Sequence, residues 1–173
     1  MAPPADRRLA SPDGRAVWDA TDRQRAYVAV NTPATRAVWG LVGGRRFDLG
    51  GVRFELGQLE RDYAVLVLTS LDGQPIESSA RLLLAAVGSA QNRNLGWNDE
   101  RNSVGNQWGT GPAQVNRIAA AVELPCGIRR VRALDGRGQP QDQVPLDTRD
   151  GAGRLSIGPQ HRTLWYEIET AGP

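Results

Sequence analysis

Two tryptophans, Trp97 and Trp108, lie in the longest stretch of the chain without an alternating apolar pattern, Gln91–Pro112. Structureless stretches of more than about 12–15 residues are uncommon in compact domains and are often functional. An indole ring can stack on the apolar face of a pyranose, and planar polar groups can form paired hydrogen bonds with sugar hydroxyls. Both tryptophans have such polar neighbours, namely Asn98, Asp99, Arg101, Asn106 and Gln107. The stretch therefore predicts a carbohydrate-binding site.

Two other interpretations of the same stretch stay open. The tryptophans can fold inward and brace a long loop whose polar side chains cap its own backbone. Asp99, Glu100 and neighbouring asparagines also offer the oxygen ligands that calcium prefers, but their spacing does not match an EF-hand. We therefore expect no cofactor, with a structural calcium ion as the one alternative.

Catalytic chemistry has few candidates in this sequence. The single cysteine, Cys126, excludes an internal disulfide and a cysteine-based metal site. The single histidine, His161, leaves no histidine cluster, and Ser78 and Ser79 lack the surroundings of a nucleophile elbow. We expect a protein that is not an enzyme. A small lyase or hydrolase that uses loop carboxylates with Arg101 is the less favoured alternative.

Charge and hydropathy exclude two classes of partner. The chain has 173 residues, with 21 basic residues (all of them arginine) against 19 acidic ones, a net charge of +2. That excess is small for a protein whose main ligand is a nucleic acid backbone or an anionic membrane. No apolar run approaches the ~18 residues of a transmembrane helix, so we expect neither nucleic acid nor membrane as a partner.

Short apolar runs predict the fold. With 20 glycines and 11 prolines, the chain is rich in turn formers, and these separate the runs. Most runs have strand length, which predicts an all-β, jelly-roll-like sandwich of about ten antiparallel strands. Residues 1–13 are expected to be a flexible lead-in, and residues 14–170 a single domain. The predicted strands are 15–19, 25–31, 36–41, 52–57, 63–71, 80–88, 115–124, 128–134, 154–157 and 163–168.

Two local assignments follow from these runs. Residues 80–88 are compatible with a serine-capped helix or a buried strand, and the strand patterns on both sides favour the strand. Trp18, Trp39 and Trp165 lie inside strand patterns with apolar neighbours. We therefore expect these three indoles in the hydrophobic core.

Four segments in the same order resemble the C-terminal β-sandwich accessory domains of large bacterial glycoside hydrolases. They are Leu68–Trp97 (LTSLDGQPIESSARLLLAAVGSAQNRNLGW), Trp108–Val115 (WGTGPAQV), Thr163–Ile168 (TLWYEI) and Asn31–Gly40 (NTPATRAVWG). In those enzymes the sandwich follows a (β/α)₈ catalytic barrel. The resemblance implies a non-catalytic module of a secreted polysaccharide-degrading enzyme, extracellular or periplasmic, and it assigns no functional residues.

Two functions are compatible with these expectations. In the first, the chain is a carbohydrate-binding module that attaches an enzyme to its polysaccharide or oligosaccharide. In the second, it packs against a catalytic (β/α)₈ domain without binding sugar, and residues 91–112 are a docking surface or an internal brace. The second hypothesis predicts an exposed apolar patch on the isolated domain.

Overall fold

The computed structural model describes residues 6–149 and 152–171, and within these it is all-β. It contains sixteen strands and three single turns of 3₁₀-helix, at Arg23–Arg25, Glu60–Asp62 and Pro159–His161. The predicted fold class is confirmed. No helix in the described part of the chain is long and apolar enough to cross a membrane.

The strands follow one another closely, as the frequent turn formers predict. They are β1 Arg8–Ala10, β2 Ala16–Asp19, β3 Tyr27–Thr32, β4 Thr35–Leu41, β5 Arg46–Leu49, β6 Val52–Leu56, β7 Tyr63–Ser70, β8 Arg81–Val87, β9 Ala90–Arg93, β10 Thr110–Val115, β11 Ala120–Leu124, β12 Ile128–Leu134, β13 Pro140–Gln143, β14 Leu146–Arg149, β15 Ala152–Ile157 and β16 Trp165–Thr170.

Two sheets form the sandwich and a hairpin projects from it. The large sheet has nine strands in the order β1-β2-β3-β4-β7-β8-β16-β12-β13, and the small sheet has five in the order β14-β15-β11-β6-β5. Strands β9 and β10 pair only with each other. The pairs are antiparallel, which permits the short hairpin connections between successive strands.

The hydrophobic core lies between the two sheets. Along β7, Ala64, Leu66 and Leu68 are fully buried while the residues between them are not, which is the period of two that a strand imposes. They share one buried cluster with Phe54 and Leu155 of the small sheet. Burial of each such large side chain contributes about 1.5–3 kcal/mol.

Each predicted apolar run overlaps a strand, and residues 81–87 form β8 rather than a helix. Six strands were not predicted. Strands β1, β9, β10 and β13 are polar or exposed and lack an apolar period, and β5 and β14 have only four residues each. Strand β1 lies within the segment expected to be a flexible lead-in and pairs with β2. Residues 1–5 of that segment lie outside the described part.

Candidate functional site

The stretch predicted to be a structureless binding loop begins and ends in strands. Strands β9 and β10 pair antiparallel, with Gln91 opposite Gln114 and Arg93 opposite Thr110, and residues 94–109 form an irregular tip. The expectation that the stretch lacks strands was wrong at both ends. Its side chains are almost all polar, so the backbone pairing left no hydrophobic alternation to detect.

Trp97 fastens this tip to the body of the sandwich. Its indole is half-buried, and the guanidinium of Arg61 lies over the ring, 4.6 Å from its centre. The indole Nε1 donates to Oε1 of Gln91 at 3.4 Å, and Nη2 of Arg61 donates to the same oxygen at 3.0 Å. A cation over an indole face is attractive by ~0.5–2 kcal/mol. Trp97 thus acts as a brace in this structure.

Trp108 is in a different environment, with 66% of its surface exposed. Only its backbone is held, because Nδ2 of Asn92 donates to its carbonyl oxygen at 2.9 Å. Gly109 follows with φ of 69°, and a Cβ there would lie 2.2 Å from the carbonyl oxygen of Arg93. The backbone can make this close approach only at glycine, and the indole beside it faces solvent.

The other residues of the predicted sugar site also differ in whether they hold the loop together, as Trp97 does, or face solvent, as Trp108 does. Oδ1 of Asn98 accepts the backbone N–H groups of Asn102 and Ser103, at 3.0 and 3.2 Å, so this amide stabilises the turn. Arg101 has a positive φ of 53°, and its Nη2 lies 3.8 Å from Oε1 of Glu60.

The backbone oxygen of Gln107 accepts from the N–H of Gly96 at 2.9 Å. Asp99, Asn106 and Trp108 are exposed. Asn98, Arg101 and Gln107 are exposed as well, so Trp97 is the one predicted site residue that is half-buried.

The side chains available for metal binding or catalysis include the acidic residues, the single histidine and the single cysteine. Within the described residues, no three His, Cys, Asp or Glu side chains are grouped closely enough to hold a metal ion. Burial lowers the pKa of His161, whose Nδ1 lies 3.4 Å from the hydroxyl of Tyr166. Burial raises the pKa of the Cys126 thiol, which packs against the core. His161 and Cys126 thus have different neighbours: His161 lies beside Tyr166, and Cys126 packs against the core.

The outer face of the large sheet carries a continuous apolar surface. Because residues opposite each other in neighbouring strands share a face, the register defines two rows across it. The first row is Leu9, Trp18, Val28, Trp39, Val65 and Val87. The second row is Ala16, Val30, Ala37, Val67, Ala85, Trp165 and Leu134. We call these two rows the apolar outer face.

Three tryptophans lie on this face, so their expected placement in the core was wrong. Trp18 and Trp165 are 38% and 37% exposed, and Trp39 is half-buried. The core-facing residue beside Trp39 is Val38, which is fully buried. A strand has two faces, and apolar residues on both faces of β4 hide which of them is covered.

A cluster of charges borders the apolar outer face at one corner. Glu167 accepts from Arg81 and Arg132, and Glu169 accepts from Arg130 and Arg132. Glu167 is only 6% exposed, and the hydrogen bond from Arg81 holds its pKa below the usual value although burial opposes this. These five residues are named the charged corner below.

The outer face of the small sheet carries charges along most of its length. Arg53 donates to Asp48 at 3.1 Å and to Glu123 at 3.2 Å, and Arg154 contacts both Glu123 and Glu55. We call these residues the charged ladder. Its opposite charges alternate across neighbouring strands, the usual arrangement on a sheet face in contact with water.

Sequence reasoning missed the apolar outer face. In β3, β4, β7 and β8, apolar residues occupy both odd- and even-numbered positions, which indicates apolar side chains on both faces of the sheet. The pairing of residues between strands, which the sequence alone does not reveal, was needed to recognise the face.

No protein family model, curated protein or solved structure matches this chain.

Proposed function

We propose that the chain is a non-catalytic accessory module that packs, through its apolar outer face, against the (β/α)₈ catalytic domain of a polysaccharide-degrading enzyme. The extent of that face is the observation that carries the proposal. Antiparallel sheets in contact with water normally have one polar face, as the small sheet of this chain does. The resemblance to accessory domains of glycoside hydrolases supports this choice of partner.

The size of the face fits an interface between domains. It extends from β1 to β12, and seven spacings between neighbouring strands amount to ~34 Å. With two rows of side chains, each about 7 Å high along the strands, the face covers roughly 400 Å² on one partner, and such a contact buries about twice that area in total. Interfaces between domains bury ~600–1,500 Å² in total.

The chemistry of the face favours a protein surface over a sugar. Sugar sites place hydrogen-bonding groups among their aromatic rings, but the residues between Trp39 and Trp165 are valines and alanines. The polar groups lie at the margin, where Thr35 and Thr69 bond to each other and the charged corner begins. A dry apolar centre with a polar rim is the common anatomy of protein interfaces.

Site-specific photo-crosslinking tests the proposal. A benzoylphenylalanine replaces Val65 on the apolar outer face, and a matched control replaces Arg53 on the charged ladder. In cells that make the natural protein, position 65 should crosslink to a peptide of a (β/α)₈ glycosidase domain, in the same polypeptide or another, and position 53 should not. Crosslinks from position 65 to a second copy of this chain, or equal yields at both positions, would contradict the proposal.

Glycan binding through the loop tip is the second candidate function, and the exposure of Trp108 favours it. Asp99 and Asn106 are exposed on the same tip and offer hydrogen-bond partners for hydroxyl groups. Trp97 is not available as a second stacking ring, because Arg61 covers one side of its indole. The candidate therefore depends on one ring, which is consistent with weak binding.

Matched tryptophan variants separate this candidate from a bracing role. We expect Trp108→Ala to leave the unfolding midpoint unchanged and to weaken retention in glycan-containing gels, by ~1–3 kcal/mol if the ring stacks on sugar. Trp97→Ala should lower the unfolding midpoint, because it removes the contact with Arg61. Retention of Trp108→Ala equal to that of the unmodified chain across a polysaccharide panel would remove the loop as a sugar site.

A further inference from the structure

A trough crosses the end of the sandwich where β7 and β16 begin and β10 ends. It consists of two adjoining grooves of about 380 and 290 Å³ that share Val115 and Arg117. The first groove is lined in addition by Tyr63 and Asn116, and the second by Trp165. Together their volume lies in the range of ~300–1,000 Å³ that is usual for ligand sites.

Each groove contains an exposed aromatic ring. Tyr63 in the first and Trp165 in the second are each 37% exposed. Trp165 stands at the corner where the trough meets the apolar outer face. Tyrosine and tryptophan combine an apolar ring with one polar group, so they suit sites that contact both apolar surface and water. A pyranose likewise has apolar faces and polar hydroxyl groups.

Two arginines in the trough have no acidic partner. Arg117, shared by both grooves, and Arg162, in the second, are exposed, and neither makes an ion pair with any described residue. Arg162 also adopts φ of 53°, a backbone conformation that is unfavourable for a residue with a Cβ. Arg162 takes this conformation as the C-cap of the 3₁₀ turn Pro159–His161, and the turn thereby places its guanidinium at the groove wall.

The carboxylates of the trough are already engaged. Oδ1 of Asp135 accepts the backbone N–H groups of Arg137 and Gln139, both at 2.8 Å. Oε2 of Glu60 accepts from Asn116 at 3.4 Å, and its Oε1 lies 3.8 Å from Arg101. Of the charged groups in the trough, the two guanidinium groups are therefore the ones without a partner among the described residues, and they match an anionic ligand.

We infer that this trough binds an anionic sugar, with Tyr63 and Trp165 against pyranose faces and Arg117 and Arg162 on a carboxylate or sulfate group. A guanidinium presents paired N–H donors that fit the two oxygens of either group. The inference goes beyond the docking role: the second groove shares Trp165 and Leu134 with the apolar outer face, whereas the first groove, with Tyr63, lies outside its two rows.

Titration calorimetry with three oligosaccharide probes tests the inference: oligogalacturonate, a sulfated galactan fragment and a neutral galactan fragment. At least one anionic probe should bind, with affinity that falls as salt rises, and the neutral probe should bind at least tenfold more weakly, on the order of one charge-assisted hydrogen bond. Binding of only the first identifies a uronate, and binding of only the second identifies a sulfate ester. No binding of either anionic probe, or equal binding of the neutral one, would overturn the inference.

Three variants locate the binding. Arg117→Gln, and Arg162→Gly, which accepts a positive φ, should each weaken binding of the anionic probe about tenfold or more while the unfolding midpoint stays unchanged. The control Arg53→Gln makes the same charge change as Arg117→Gln on the charged ladder and should bind normally. Equal loss in Arg53→Gln would reveal unspecific charge attraction and overturn the assignment. Crosslinking at position 65 is unaffected by these variants, so each proposal can fail separately.

Discussion

The two outer faces of this sandwich differ although both belong to antiparallel sheets over one core. On the small sheet, Arg53 and Glu123 pair across neighbouring strands in the charged ladder. On the large sheet, Trp18 and Trp39 lie in a row that continues through valines. The fold requires only the inner faces to be apolar, so the burial of the core does not by itself explain the difference between the outer faces.

Free energy explains why this difference is informative. Ion pairs on an exposed face contribute little, with a median of ~0–1 kcal/mol, and they keep the small sheet soluble. Apolar side chains on the opposite outer face gain nothing from water, and each Å² that becomes covered contributes ~25 cal/mol. Contacts between neighbouring strands already cover part of this face, since Ala37 is 3% exposed, and the proposed partner would cover more of it.

The largest effect is expected from a matched pair of leucine truncations on β8. Leu84 is fully buried in the core, whereas Leu83 lies on the outer side, opposite Thr69 and Glu167. Leu84→Ala should lower the free energy of unfolding by about 2–5 kcal/mol, because it leaves a cavity. Leu83→Ala should cost about 1 kcal/mol or less. Urea titrations measure both, and equal losses would mean that the outer face is already part of a core.

A smaller effect is expected where the apolar outer face meets the charged corner. Glu167→Gln weakens two charge-assisted hydrogen bonds, from Arg81 and Arg132, and should cost about 1–3 kcal/mol at neutral pH. The pKa of Glu167 lies below its ordinary value of 4.5, so its contribution to stability is present above that pH. The contribution disappears as pH falls through the folded-state pKa.

Unfolding curves recorded from neutral pH downwards should therefore show the gap between Glu167→Gln and the unmodified chain narrowing below pH ~4.5. Glu169 provides the comparison, because its pKa is lowered by Arg130 in the same corner while its side chain is more exposed. A gap that stays constant with pH would show that the loss comes from packing rather than from the ion pairs.

The smallest effect is expected on the charged ladder. Glu123→Gln removes the carboxylate that Arg53 and Arg154 share. Because water screens exposed pairs, the unfolding midpoint should fall by no more than about 2 °C at low salt and not at all in molar salt. Thermal melts at the two salt concentrations measure this. A large, salt-independent fall would mean that the ladder stabilises the fold as strongly as the charged corner.

Part of the loop was predictable from composition and part was not. The polar neighbours of Trp97 and Trp108 were visible in the sequence, and the exposure of Trp108 agrees with the proposed sugar contact. The cation that covers Trp97 is Arg61, which comes from the connection before β7. No spacing within the loop itself could indicate that contact, because it forms only when the hairpin folds back on the sandwich.

The sequence by itself determined the all-β class and the position of the apolar strands, including β8, because both follow from local alternation and turn formers. Only the tertiary structure decided which side of each strand faces the core. Trp39 and Val38 are neighbours of similar apolar character, yet β3 and β7 place Val38 inside and Trp39 outside. Alternation defines two faces in every strand, but the pairing of distant strands and the position of the second sheet choose which face is buried.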